Sequence, residues 1–238
     1  MAAQKKSPVL DQKQNGIAPS TAAVADALRR TDGARAVAGH SLIEMLIVVS
    51  LIGLLTSMAL PQLLAQRRLY RSTTVTREIM TTLRHARQLA MSQRQAITFQ
   101  YNDTTKQVSL IDHNSNLGAA MLLDPSYPNT AGSQIISTAS LVAETSLSSE
   151  ISYGIPAGLP NGALADGIAM TALANNQINI TFQPDGSVID GAGNPVGRAM
   201  YIYNNRAARA TAAAISVIGA SGRVKIWRYD AVANAYAE

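Results

Sequence analysis

Few side chains in this 238-residue sequence have the types and spacing that catalysis or metal binding requires. There is no cysteine, which excludes disulfides, thiolate catalysis and cysteine-based metal sites. The three histidines, His40, His85 and His113, lie far apart in different contexts, so we expect separate surface or capping residues rather than a shared metal site. No nucleophile elbow, HExxH segment or P-loop occurs. We expect no enzymatic activity, no metal and no cofactor.

Three aspartates lie in segments with the composition of turns. Carboxylates in turns commonly accept hydrogen bonds from their own backbone, and we predict this role for Asp166, Asp185 and Asp190 rather than a catalytic one.

Glu44 has the most informative position of any charged residue. It precedes residues 45–60, which contain no charge. A carboxylate costs about 2.5–3.5 kcal/mol at the centre of a membrane helix and less near the interface. Taken alone, the residue allows two interpretations: its carboxylate reaches water at the headgroup level, or it is retained to pair with a partner charge within the membrane.

The element that carries Glu44 is a strongly apolar segment, residues 40–65. As a helix, residues 40–60 would extend roughly 30 Å, which matches the hydrocarbon core of a bilayer. The segment lacks the polar residues that a water-soluble core helix shows at every third or fourth position. We therefore predict a transmembrane helix.

An amphipathic helix, residues 66–96, is predicted to continue this anchor. Its apolar residues recur at largely helical spacing: Leu69, Val75, Ile79, Leu83, Ala86 and Ala90. The two segments together predict one helix of about 55 residues, a length that is natural where half lies in lipid.

From residue 97 the apolar period shortens to two, which predicts a β-rich head over residues 97–238. Ile97, Phe99 and Tyr101 begin a hairpin whose second strand runs to Asp112. A loop is expected over 113–132, within a longer variable region, 113–175. Further strands are predicted at 134–137, 150–153, 177–182, 187–189, 200–203, 213–218 and 223–228. The fold class is α+β, with the long amino-terminal helix packed on an antiparallel sheet.

The segment G-HSLIEMLIVVSLIGLLTSMALP, which begins at Gly39, resembles the class III leader and amino-terminal helix of type IV pilins and type II secretion pseudopilins. The resemblance implies that residues 1–39 are a cytoplasmic leader that prepilin peptidase removes by cleavage between Gly39 and His40. It implies methylation of the new terminal amine, although the family usually has Phe or another apolar residue where His40 stands. It also implies that Glu44 pairs with the terminal amine of a neighbouring subunit, an attraction that low dielectric strengthens.

Gly53 and Pro61 fall where the helix of this family often loosens. Pro61 lacks a backbone donor and Gly53 lacks a side chain, so the stretch between them can unwind during assembly. The alternative is a kink at the membrane edge that has no role in assembly.

Three further segments resemble the GspH/FimT group, which includes the minor pseudopilin of type II secretion and the minor pilin FimT. They are TTLRHARQLAMSQRQAITFQY (81–101, with Ala86, Arg87, Ala90 and Arg94), INITFQPDGSV (178–188) and ISVIGASGRVKIWRY (215–229). The resemblance implies a minor subunit of a secretion pseudopilus or type IV pilus. Its expected partners are other pilins, prepilin peptidase and lipid.

The arginines that flank the apolar segment are equal in number on its two sides, so charge bias alone does not orient it: Arg29, Arg30 and Arg35 precede it, and Arg67, Arg68 and Arg71 follow it. The resemblance places a single span in the bacterial inner membrane, with the carboxyl-terminal domain in the periplasm.

Two alternative functions remain open on the sequence. A DNA-binding minor pilin is suggested by Arg223, Lys225, Trp227 and Tyr229, which share one face of a predicted strand and could hold phosphate and stack bases. Residues 40–238 carry a net charge of only +2, which favours instead a solvated outer face over an apolar inner one, with Trp227 packed on a loop. A soluble periplasmic protein would follow if residues 46–55 were a signal peptide cleaved at 57–59.

Overall fold

A computed structural model describes residues 41–115, 119–142 and 150–238. The predicted leader, 1–39, and the predicted cleavage residues Gly39 and His40 lie outside the described residues, as do parts of the predicted variable region. The chain divides into two compact units, with the boundary between Leu55 and Thr56.

The first described element is one helix, α1, which spans Leu42–Gln93 and contains 52 residues. A single long helix was predicted, and it is confirmed. The helix remains unbroken through Gly53 and Pro61. It ends where Arg94 adopts a left-handed backbone conformation (φ 55°), which is common for the residue that follows a helix.

Two antiparallel sheets follow, where one sheet was predicted. The first has the strand order β3-β2-β1-β5 and the second has the order β4-β6-β7-β8-β9. The strands are β1 (Ile97–Asn102), β2 (Gln107–Asp112), β3 (Gln134–Ser140), β4 (Ile151–Tyr153), β5 (Gln177–Phe182), β6 (Arg198–Asn204), β7 (Ala213–Ile218), β8 (Arg223–Asp230) and β9 (Ala235–Ala237).

The hairpin predicted from the period of two is confirmed, with Phe99 opposite Leu110 and Tyr101 opposite Val108. The segment 187–189 forms only isolated bridges, of Val188 with Phe182 and of Ile189 with Pro195. Two short helices, α2 (Ala119–Leu122) and α3 (Ala208–Thr211), and the strand β9 were not predicted. Elements of three or four residues are too short to show a period in the sequence.

The main core lies between the outer half of α1 and both sheets. Five residues of α1 enter it from one helix face: Val75, Ile79, Leu83, Ala86 and Ala90. They pack with apolar residues of β1, β2 and β5 in the first sheet and of β6, β7 and β8 in the second. Leu69, the sixth residue of the predicted apolar face, is 42% exposed, so the packed face of α1 begins after it.

A smaller cluster covers the other face of the second sheet. It contains Leu164, Ala199, Tyr201, Ala214 and Trp227. Because Leu164 belongs to the segment between β4 and β5, this irregular segment supplies the outer layer over β6, β7 and β8.

Candidate functional site

The apolar half of α1, Leu42–Leu63, is long and apolar enough to cross a membrane, and none of it is buried within the chain. Its large apolar side chains, from Leu42 (83% exposed) to Leu63 (53% exposed), all remain accessible. Soluble monomers rarely expose a contiguous apolar surface of this extent. The helix is therefore built to be covered by lipid or by other protein.

Glu44 lies in the first turn of α1, where its backbone N–H donates to the carbonyl of Ser41 at 2.9 Å. The aligned peptide dipoles place partial positive charge at a helix amino terminus, so a carboxylate in the first turn is favourable there. The side chain is exposed and is therefore accessible to a partner. The first-turn position and the exposed side chain both fit a carboxylate that lies at the amino-terminal end of an apolar helix.

Gly53 lies within the apolar half of α1. A Cβ added at this glycine would meet nothing within 4 Å, so the packing of this chain does not require the missing side chain. Glycine inside a helix costs about 1 kcal/mol relative to alanine, and that cost has no compensation in the described contacts. The predicted loosening between Gly53 and Pro61 stays a prediction, since the helix is continuous here.

The four residues of the candidate DNA-binding face differ strongly in exposure. Arg223 is exposed, whereas Trp227 is only 4% exposed and lies within the smaller apolar cluster. The Nζ atom of Lys225 lies 2.6 Å from a carboxylate oxygen of Glu238 and 5.0 Å from the centroid of the Trp227 ring. The hydroxyl of Tyr229 donates to Asn234.

A chain of two hydrogen bonds fixes Trp227. Its Nε1–H donates to the hydroxyl of Ser216 at 2.9 Å, and that hydroxyl donates to Oδ2 of Asp166 at 2.5 Å. Ser216 is fully buried. Sequence reasoning did not find this link, because the three residues come from β7, β8 and a distant loop, and no sequence signal joins them.

The aspartates predicted to stabilise turns do so. Oδ1 of Asp185 accepts from the backbone N–H of Ser187 at 2.8 Å and from its hydroxyl at 2.6 Å, which holds the pKa of Asp185 below its usual value. Oδ1 of Asp190 accepts from the backbone N–H groups of Asn194 and Ala192, and its pKa is lowered for the same reason. Asp166 accepts from the backbone of Ile168.

His113 is not the surface or capping residue that was predicted, since it is only 2% exposed. Its Nε2 lies 2.7 Å from the hydroxyl of Thr98, which in turn lies 2.6 Å from the hydroxyl of Thr181. Tyr127 bonds to Thr181, and its ring stacks on His113. Burial lowers the pKa of His113, against a smaller opposing effect from Asp112.

This polar cluster attaches the segment after β2 to the first sheet. His85, in contrast, is exposed on α1. Among the residues that the structure describes, no group of three or more His, Asp or Glu side chains could hold a metal ion.

No protein-family model matches this chain, and no curated protein matches it. Two solved structures are similar to it, and both are crystal forms of the type IV minor pilin FimU of Pseudomonas aeruginosa. The first is 17% identical with a TM-score of 0.39, and the match covers 68% of this chain and 90% of that one. The second is 16% identical with a TM-score of 0.38, and covers 65% and 90%.

Proposed function

We propose that the chain is a pilin-like minor subunit of a type IV pilus or a type II secretion pseudopilus. The observation that carries the proposal is the two-part character of α1. Its first half is apolar and wholly exposed after an acidic first turn, whereas its second half is built into the core of a β-rich head. A helix of this kind anchors a folded head while leaving one apolar surface for lipid and for neighbouring subunits.

In this proposal, prepilin peptidase cleaves between Gly39 and His40 and leaves a terminal ammonium on His40, four residues before Glu44 in the sequence. The carboxylate of Glu44 pairs with the terminal ammonium of a neighbour in the low dielectric of the membrane. A carboxylate left without that partner would be costly there, so pairing favours the assembled state. The head lies in the periplasm.

The first test is the position of the amino terminus. The full chain is produced with and without prepilin peptidase, extracted from the membrane and examined by mass spectrometry. We expect a mature chain that begins at His40 only when the peptidase is present. A chain that begins at Leu60, or one that still begins at Met1 in the presence of the peptidase, would show that the proposal is wrong.

The second test removes the charge of Glu44. Glu44→Gln keeps the size of the side chain, so we expect normal membrane anchoring but loss of incorporation into filaments. Glu78→Gln is the matched control, because Glu78 is an exposed acid on the same helix outside the apolar half. Equal incorporation of Glu44→Gln and the unmodified chain would contradict a role of this charge in assembly.

The geometry supports filament assembly better than DNA binding. Trp227 is buried and hydrogen-bonded, so its ring is not available to stack a base, and Lys225 is already paired with Glu238. Base stacking on accessible aromatic rings is a main source of affinity for single strands. Salt-sensitive DNA binding that is lost in Arg223→Ala and Lys225→Ala would favour the alternative.

The geometry also favours a retained anchor over a cleaved signal peptide. Residues 57–59, the alternative cleavage site, lie inside the unbroken helix α1. Cleavage there would leave Leu60 and Leu63 exposed at a new end of that helix. The amino-terminal mass measurement distinguishes these two outcomes directly.

A further inference from the structure

An open pocket of about 450 Å³ lies between the outer half of α1 and the start of β8. Three arginines line it, two from α1 and one from β8. The lining residues are Arg84, Arg87, Gln88, Met91, Gly222, Arg223 and Val224. Arg84 and Arg223 are exposed, and Arg87 is half-buried.

Two glycines hold Arg87 in place. A Cβ on Gly222 would lie 2.9 Å from Nε of Arg87 and only 1.9 Å from the carbonyl oxygen of Gly186. A Cβ on Gly186 would lie 3.2 Å from the same Nε. The arginine side chain therefore lies close against the backbone of two turns, and only glycine leaves room for it. This contact restricts the Arg87 side chain beside Gly222, which also lines the pocket.

The charge of Arg87 is not compensated by the described part of the chain. Its Nε is buried and has no hydrogen-bond partner. Burying a charged nitrogen without a hydrogen-bond acceptor costs free energy, because the atom loses its bonds to water and gains none within the protein. An acceptor that neutralises the guanidinium from the pocket side would reduce this cost.

Neither of the other two arginines forms a direct ion pair with a described residue, although the charge of Arg223 acts on the carboxylate of Glu238. The ion pairs among the described residues join Lys106 to Asp103, Arg206 to Glu150 and Lys225 to Glu238, and none of them includes an arginine of the pocket. Three cations that share one pocket repel one another. An anion bound between them would remove the repulsion.

A single carboxylate fits this site better than a chain of phosphates. Guanidinium groups bind both carboxylates and phosphates through two parallel hydrogen bonds, and arginine is enriched in protein–protein interfaces. Beside the pocket, Glu238 is half-exposed, and its pKa is lowered by its bond to Lys225 and, to a smaller degree, by the charge of Arg223. Its negative charge would repel a polyanion that extended along β8.

We propose that the pocket of Arg84, Arg87 and Arg223 binds an acidic side chain of the neighbouring subunit in the filament. The inference rests on the proposed filament function and names a contact that would register one head against the next. Arg84 and Arg223 form the accessible rim that meets the carboxylate. Arg87 supplies the third, half-buried cation.

The test converts the contact into a covalent bond. A carbodiimide joins an amine to a touching carboxylate without a spacer, so Arg84→Lys places a reactive amine at the rim of the pocket. The full chain with this substitution is treated in membranes of cells that also make the peptidase and the sister subunits. We expect an amide bond between position 84 and an Asp or Glu of another subunit. Mass spectrometry of isotopically heavy and light chains, mixed before assembly, identifies it.

Arg77→Lys is the matched control, because Arg77 is an exposed arginine of the same helix that does not line the pocket. The adduct at position 84 should exceed that at position 77 by about tenfold, the occupancy expected from one charge-assisted hydrogen bond. The native pair of Lys225 and Glu238 provides an internal control for the coupling reaction.

Three outcomes would overturn the inference: an adduct only within one chain, equal adducts at positions 77 and 84, or no adduct at 84 in a chain that does assemble. A phosphate site is tested separately with a single-stranded oligonucleotide and the detergent-solubilised full chain. Binding that is lost in Arg84→Gln but kept in Arg77→Gln would show that the ligand of the pocket is a nucleic acid and not a carboxylate. A chain that begins at Leu60 and does not assemble would contradict the proposed function itself. The amino-terminal measurement detects that failure independently of the cross-linking result.

Discussion

Ser216→Ala should destabilise the head strongly, although it removes a single oxygen atom. The Ser216 hydroxyl is fully buried, accepts from Nε1 of Trp227 at 2.9 Å and donates to Oδ2 of Asp166 at 2.5 Å. A neutral hydrogen bond contributes about 1 kcal/mol, and one to a charged group contributes about 1.5–3 kcal/mol. The indole N–H is also left without an acceptor inside the apolar cluster. We therefore expect a loss of about 3 kcal/mol in the free energy of unfolding.

The assay uses the only tryptophan of the chain, which is Trp227 itself. Its fluorescence reports the unfolding of the layer over the second sheet as temperature or urea is raised. For a domain of this size, about 3 kcal/mol corresponds to a decrease of roughly 6–12 °C in the melting temperature. Ser109→Ala is the control, since the half-buried Ser109 makes one long contact of 3.3 Å with Thr138. A melting temperature for Ser216→Ala that equals that of Ser109→Ala would refute the reasoning.

Two further predictions concern the head. Because burial lowers the pKa of His113, the unfolded chain binds a proton more readily than the folded one, so stability should be complete above about pH 6.5 and fall as the pH drops below that value. Urea unfolding at several pH values checks this; His113→Gln should weaken the dependence, whereas His85→Gln, at an exposed histidine, should not. Gly222→Ala should cost about 3 kcal/mol or more, because the added Cβ would lie 1.9 Å from a backbone oxygen at a φ of +59°. Gly162→Ala, where a Cβ meets nothing within 4 Å, should leave the melting temperature nearly unchanged, and an equal effect of both would contradict the predicted clash.

The elements that the sequence predicted well are those with long or regular periods. The uncharged run 45–60 and the buried series from Val75 to Ala90 predicted α1, and the alternation at Ile97, Phe99 and Tyr101 predicted the first hairpin. Each pattern repeats over several turns or strand positions, so local composition decides the structure. The side-chain roles of Asp185 and Asp190 were predicted for the same reason, because their partners lie within four residues.

The features that the sequence did not predict depend on pairing between distant segments. The division of the strands into two sheets, the burial of His113 beneath Tyr127 and the link from Asp166 to Trp227 all join residues far apart in the chain. Their local patterns resemble those of exposed turns and strand faces. The alternation along β8 predicted which residues share a face, and the favoured interpretation, with Trp227 packed on a loop, is confirmed; the sequence did not identify the segment around Leu164 as that loop.

The stability of the head and the assembly of the subunit should respond to different residues. The head core uses α1 only from Val75 onward, together with both sheets, whereas Glu44 belongs to the other compact unit and is not a member of that core. Sites that share no partners contribute additively. Glu44→Gln should therefore prevent incorporation without lowering the melting temperature, and Ser216→Ala should lower the melting temperature while the chain still enters the membrane. A Glu44→Gln chain with a destabilised head would show instead that the two units fold as one, and assembly defects could then no longer be assigned to the lost charge.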